Sequence, residues 1–431
     1  MKKHFRGALC LAAAGIISKA LGAIYRIPLT SVLGAEGLGA YQMAFPLYCA
    51  LLTVSSTGIP TALSKMIAEG KNARLVLKRS LVFFGGIGGI FALLVFLLAE
   101  PIAKLQGNDG VATVYRTLSP SIFFVSVLSA LRGYFQGKRR YAPTAITQVV
   151  EQGVKIAFGL TLCVFFGGTP YEKAAVATFA VTVSEIVALA LAAIMYARDK
   201  KSPREGAVGL KSIIKIVFPI TLSAVMIPLM RAADGFLVVN LLKEERSVAT
   251  SLYGLYGGAT ESIISLPVAL SYAFAITSVP EIASDKKNLE KRFEPLAVTF
   301  AISAITGLLT YFFADTGVNL VYSRLNAADR EILVALVRTA SLQIVGLSLV
   351  QTCGAVLVAI DRPFIPPVCL FLGIMLKIAL SVKLIPTDRG IYACALIDVI
   401  VFALVAVSEL FAIAALSAAA RRNERTALAV K

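Results

Sequence analysis

Tryptophan is absent from the 431 residues, and histidine occurs once, at His4 near the start. One terminal imidazole leaves no buried Ser-His or Cys-His nucleophile and no H-E-x-x-H zinc site. No G-x-x-x-x-G-K-[ST] loop occurs either, which excludes ATP hydrolysis of the Walker type by this chain. The glycines of Gly85-Gly-Ile-Gly-Gly89 fall inside an apolar run, where small residues serve close helix packing rather than phosphate binding. Six cysteines (Cys10, Cys49, Cys163, Cys353, Cys369 and Cys394) are scattered through apolar segments with no C-x-x-C spacing. Neither a disulfide framework nor a metal site is expected from them, and no cofactor is implied. The chain does not read as an enzyme. Charged residues are sparse, at 16%, yet the net charge is +17. The basic residues sit in short blocks between apolar runs, without the motif context of a nucleic-acid reader, so nucleic acid is not an expected partner.

What the chain has is apolar length. Hydrophobic residues make up 58% of it, which for 431 residues marks an integral membrane protein. The pattern predicts an all-α fold of about twelve transmembrane helices, near 8–27, 39–66, 80–99, 113–134, 143–166, 173–197, 213–239, 251–279, 295–314, 332–358, 364–385 and 392–416. The basic start also resembles a signal peptide, but no A-x-A site follows and the apolar run continues past Lys19. With the N-terminus placed inside and most Lys and Arg near span ends, Arg132 among them, counted with the adjoining loops, 27 of the 42 fall on the inner side, nine on the outer side and six deeper within spans. The positive-inside rule then predicts both termini in the cytoplasm.

The stretch Arg198 to Lys215 is charged and carries Pro203 and two glycines near the midpoint of the chain. It reads as a linker, 201–212, between an N-terminal bundle, 1–200, and a C-terminal bundle, 213–416, with a basic tail at 417–431. The halves repeat each other. Gly39-Ala-Tyr41 recurs as Gly254-Leu-Tyr256 at an offset of 215, Lys155-Ile-Ala recurs as Lys377-Ile-Ala at 222, and Val183-Ser-Glu185 recurs as Val407-Ser-Glu409 at 224. Six spans per half predict two six-helix bundles related about the membrane normal, with a cleft or central cavity between them.

Ionisable residues inside spans are costly and mark function or pairing. Lys19 lies about 16 Å into the first span, with Arg26 seven residues further on nearly the same face. They are expected to line a cavity, the alternatives being snorkelling to head groups or pairing with acids on neighbouring helices. Glu151 and Lys155 stand four apart and can neutralise each other on one helix, as Arg231 and Asp234 can at three apart. Alternatively, Lys155 faces Glu185 and Lys377 faces Glu409 across helices. Glu261 completes the candidates for cavity or ion-coupling roles.

The segments SKALGAIYRIPLTSVLGAEGLGAYQMAFPLY, STGIPTALSKMIAEG and LRGYFQGKRRYAPTAITQVVEQGVKI carry a resemblance, as does LYGLYGGATESIISLPVALSYAFAITSVPEIAS in the second half. They resemble the stage V sporulation protein B and polysaccharide biosynthesis branch of the multidrug, oligosaccharidyl-lipid and polysaccharide exporter superfamily, which also holds the lipid II flippases. The resemblance implies a MATE-like, V-shaped pair of bundles, alternating access and an anionic lipid-linked glycan as cargo in the bacterial cytoplasmic membrane. Membrane lipids, and a coupling cation or the membrane potential, are the further partners implied. Lys19 matches the pattern's first basic position and Arg26 its second to within one residue, with Arg231 a looser substrate-binding candidate. Many relatives have fourteen spans where twelve are counted here, and no Lys or Arg lies between Gly39 and Leu63. Two other functions fit the same sequence: a cation-coupled multidrug exporter, which needs free acids at its cavity, and a membrane scaffold for envelope enzymes, which needs none of these charges.

Overall fold

The computed structural model describes residues 2–199, 210–284 and 290–429, and its described residues are almost entirely helical. The first helix, α1 (Lys2–Thr53), runs for 52 residues. That is roughly 78 Å, far more than one crossing of an apolar core about 30 Å thick. Gly34 breaks it at φ 68, a conformation that only glycine adopts at little cost. The two spans expected at 8–27 and 39–66 are thus joined through one kinked helix. A π segment, Val54–Gly58, leads into α2 (Ile59–Ala68). Asn72 then accepts from the backbone N–H of Arg74 and Leu75, both at 3.1 Å, and starts α3 (Ala73–Leu97). Next come the short α4 (Ala99–Leu105), α5 (Ala112–Gly137) and α6 (Ala142–Phe165). A Thr169–Glu172 capping box opens α7 (Pro170–Ala197).

A long helix, α8 (Leu210–Leu241), and a short one, α9 (Arg246–Tyr253), follow near the midpoint, and a second π segment at Gly254–Thr260 leads into α10 (Glu261–Ser284). The rest is α11 (Glu290–Phe312), α12 (Ala314–Val321), α13 (Ala327–Ala340), α14 (Gln343–Ala359), α15 (Ile365–Leu384) and α16 (Tyr392–Ala429). Among the described residues nine helices are long and apolar enough to cross a membrane, and ten if the α13–α14 pair, bent by 47°, is one span. The count falls short of twelve for identifiable reasons. Ile24–Ala68 is one unbroken stretch in that tally, and the span expected at 251–279 crosses the π segment and side chains outside the described residues.

Met1–Asn240 with Glu244–Gly258 form one compact unit, and Leu241–Lys243 with Ala259–Lys431 form the other. Packing at glycines explains why α8 and α9 belong to the first. A Cβ at Gly58 would lie 2.2 Å from Thr221 Oγ1 and 2.8 Å from Val217 Cγ1, so α8 rests directly on the α1–α2 junction. A Cβ at Gly39 would lie 1.9 Å from the Thr250 carbonyl oxygen, and one at Gly254 would lie 2.6 Å from the Gly39 nitrogen. Only glycine allows backbones that close. The two glycines related by the offset of 215 therefore meet each other. Asn108 Nδ2 donates to Thr250 Oγ1 at 2.8 Å, and Gln42 Nε2 donates to the Gly257 carbonyl, fastening the same crossing.

The repeat is also written in the backbone. Leu98 and Ile102 donate to Leu94 and Leu98 as Phe313 and Gly317 donate to Leu309 and Phe313, all at an offset of 215. At the ends of α5 and α14 the offset is 222: Arg139 has φ 57 and Asp361 has φ 63. Each is followed by an arginine whose N–H returns five residues, Arg140 to Phe135 and Arg362 to Leu357. This is a helix stop in which one left-handed residue lets the last carbonyls find donors.

In the first unit that stop has a charge attached. Lys138 and Arg140, on either side of the left-handed Arg139, both pair with Asp199 beyond the end of α7, and Tyr134 Oη donates to Asp199 Oδ2 at 2.7 Å. Burial raises the Asp199 carboxyl, but the hydrogen bonds from Lys138 and Tyr134 and the charges of Lys138 and Arg140 outweigh it and hold the group below its ordinary value. A depressed carboxylate contributes stability that is present above its unfolded value and is lost as pH falls through the folded one. Asp199→Asn should therefore cost about 1–3 kcal/mol, equally at pH 6 and pH 8. Thermal melting of the purified variant at both pH values measures this, and an unchanged melting temperature would show the cluster to be ornamental.

Candidate functional site

Four helices of the first unit bring charged and aromatic side chains together. On α1, Tyr41, Phe45 and Tyr48 stand at helical spacing, with ring centroids 4.9 Å apart for the stacked Tyr41–Phe45 pair and 5.7 Å for Phe45–Tyr48. The Arg26 guanidinium lies 5.7 Å from the Phe45 centroid, and Lys155 Nζ on α6 lies 6.0 Å from that of Tyr25. Rings can hold a cation in this way for about 0.5–2 kcal/mol, depending on how far it is desolvated. Neither cation forms an ion pair among the described residues. Lys155 nevertheless senses the charges of Glu151, Glu185 and Arg26, so these groups share one neighbourhood.

The acids of that neighbourhood are arranged differently from the sequence expectation. Glu151 does not neutralise Lys155 one turn away; its Oε2 takes Arg132 Nη2 from α5 at 2.8 Å, while Arg132 Nε donates to Thr147 Oγ1 at 3.0 Å. These side chains are 10% and 17% exposed. Removal of one member of a pair so buried costs about 3–5 kcal/mol, because the other charge is stranded. The physical reason is reach: a guanidinium from a neighbouring helix satisfies Glu151 and Thr147 together, whereas a pair along one helix gains only a few tenths of a kcal/mol. Arg132 is the residue that sequence reasoning missed. It stands two positions inside the predicted end of its span and was counted with the basic loop that follows.

Glu185 on α7 is buried and does not pair with Lys155. Tyr48 Oη donates to its Oε1 at 3.4 Å, a long contact, and its Oε2 has no hydrogen-bond partner. The Tyr25 hydroxyl and the Gln148 and Gln152 carbonyl oxygens are likewise buried and unpartnered. A cluster of unmet polar atoms beside two unpaired cations is suited to a ligand that brings charge and hydrogen bonds with it.

The remaining sequence candidates divide between the units. The Lys19 side chain lies outside the described residues. Arg231 is half-buried and Asp234 buried on α8, and both are engaged by other groups. In the second unit, Glu261 is buried and accepts from Gln343 Nε2 at 3.3 Å. Lys377 on α15 pairs with Asp398 of α16 at 2.5 Å, the side chains being 2% and 0% exposed. The expected Lys377–Glu409 pairing is thus replaced. Asp398 and Glu409 are eleven residues apart, almost the same azimuth on a helix but about 16 Å apart along it. The register of α15 on α16 selects the former and leaves both carboxylate oxygens of Glu409 buried without hydrogen-bond partners.

Comparison with known proteins agrees with this helical framework. The family model described as "Polysaccharide biosynthesis protein" matches residues 5–284, more than half of the chain. Stage V sporulation protein B of Bacillus subtilis is 27% identical over 350 residues, covering 75% of this chain and 67% of that protein. Lipid II flippase MurJ of the same organism is 27% identical over 446 residues, covering 91% and 80%. Among solved structures, an inward-facing multidrug resistance MATE family transporter of the MOP superfamily superposes with a TM-score of 0.75 at 16% identity, over 93% of this chain and 95% of that one. The chain belongs to the polysaccharide biosynthesis protein family and has the all-α membrane fold of the MOP-superfamily transporters.

Proposed function

We propose that the protein is a flippase that moves an anionic, lipid-linked glycan across the bacterial cytoplasmic membrane by alternating access of two helical bundles. The observation that carries the reading is the pair of cations, Arg26 and Lys155, held against aromatic rings with no carboxylate bound to either among the described residues. Charge is expensive at membrane depth and is retained where a pathway needs it. A phosphate or pyrophosphate head group supplies the missing counter-charge, and a guanidinium grips it with two parallel hydrogen bonds. Similarity to a lipid II flippase and to a sporulation protein of the same branch supports this class of cargo.

Lys19, on the same face as Arg26 by sequence, and Arg231 are proposed to extend the cationic path. Glu185, with one oxygen unpartnered, is the group that favours a second reading, a cation-coupled drug exporter. Two cations in its neighbourhood weigh against an organic cation as cargo and leave Glu185 the role of binding the coupling ion. A scaffold would have no use for unpaired charge at depth, so that reading is not retained.

Transport assays in proteoliposomes test the head-group role. Arg26→Ala with Lys155→Ala should lower translocation of a pyrophosphate-linked lipid at least tenfold while leaving the melting temperature within a few degrees, since an unpaired cation adds little to folding. Arg132→Ala should instead lower the melting temperature by stranding Glu151. Normal translocation by the double variant would remove both cations from the mechanism. Orientation has its own check. Cysteines introduced into the 201–212 linker should react with impermeant thiol reagents only after cells are opened, and labelling of intact cells would reverse the topology.

A further inference from the structure

The two halves, so alike in backbone, differ at one place. The offset between equivalent residues is 215 up to α4 and α12 and 222 afterwards, and Arg116-Thr-Leu-Ser119 recurs as Arg338-Thr-Ala-Ser341 at the larger value. Seven residues have therefore been added in the second half between α12 and the body of α13. They lengthen the helix. Whereas α5 begins at Ala112, the counterpart of Val334, α13 begins at Ala327, two turns earlier. Those two turns carry Arg330 and Glu331, where the first half has Asn108 and Asp109 at the offset of 222.

The consequence is a change of chemistry at an equivalent pair. In the first unit Glu100 of α4 and Arg116 of α5 close on each other at 2.6 Å. Their counterparts in the second unit, Asp315 of α12 and Arg338 of α13, form no ion pair among the described residues. Between them lies a cleft of about 470 Å³, lined also by Asn319, Arg330, Glu331 and Val334. Arg330 Nη1 donates to Asn319 Oδ1 at 3.1 Å, and its Nε is buried with no hydrogen-bond partner. The volume is that of a small-ligand site.

The lining selects the ligand class. Two exposed carboxylates, the exposed Arg338 and the half-buried Arg330 line the cleft together, so a simple anion would meet Asp315 and Glu331 and a simple cation would meet Arg330 and Arg338. A hydroxyl does neither. It donates to a carboxylate and accepts from a guanidinium at the same time, and an amide such as Asn319 does both. We propose that the α12–α13 cleft is a carbohydrate subsite that receives sugar units of the glycan cargo, on the outer face under the proposed orientation. The inference rests on the flippase reading for its cargo, but its chemistry is independent of the head-group cations.

Saturation-transfer NMR on the purified full-length protein in detergent tests it, using a mixture of soluble di- to hexasaccharides, neutral and uronic-acid-containing, with inorganic phosphate as a second probe. The wild type should saturate saccharide resonances. Asp315→Ala and Arg338→Ala should each weaken binding by about fivefold, the loss of one charge-assisted hydrogen bond, while keeping the wild-type melting temperature, since both side chains are exposed. Glu100→Ala, at the closed counterpart, should leave binding unchanged. Absence of any saccharide signal from the wild type, equal signals from all variants, or displacement of the sugars by inorganic phosphate would each overturn the proposal. Failure here with intact transport dependence on Arg26 and Lys155 would leave the flippase standing. Saccharide binding without that dependence would do the reverse.

Discussion

The cost of keeping charge away from water governs this molecule. A lone ionised side chain in the apolar core costs several kcal/mol, and the chain answers that cost in three ways. Some charges are paired across helices, as in Arg132–Glu151 and Lys377–Asp398. Asp199 is tied at a helix end to two basic residues and a tyrosine. Arg26 and Lys155 are set against rings without counter-ions. The first two arrangements are complete in themselves and hold the fold. The third lacks a counter-charge among the described residues, and the proposed head-group role rests on that lack.

Duplication supplied the framework on which these solutions diverged. Corresponding helix stops at Arg139 and Asp361 keep the same backbone, and at the first of them Asp199 gathers Lys138 and Arg140. The repeated lysines have parted: Lys377 is neutralised by Asp398, while its equivalent, Lys155, remains unpaired beside an aromatic ring. Seven added residues at α13 opened what Glu100 and Arg116 keep shut.

Much of this was legible in the sequence. Apolar runs and the order of basic blocks are properties of single segments, so helices, family and repeat follow from one chain read alone. The repeat contains both Gly39 and Gly254, but nothing in it indicated that the two would touch. Pairing was less accessible, because a partner lies on another helix at a depth that periodicity does not encode. Glu151 had Lys155 one turn away and took Arg132 instead, and Lys377 had two acids on one azimuth of α16, separated only by height. The long first helix was read as two spans with a break. The structure joins them in one helix, Lys2–Thr53, kinked at the single residue Gly34.

Native mass spectrometry of the protein extracted from its own membrane addresses the central claim most directly. If unpaired cations at depth exist to hold an anionic head group, the wild type should carry a bound species with the mass of a pyrophosphate-linked glycolipid, and Arg26→Ala with Lys155→Ala should lose it while retaining ordinary phospholipids. Wild-type protein that carries only phospholipids, or a glycolipid retained undiminished by the double variant, would contradict the account.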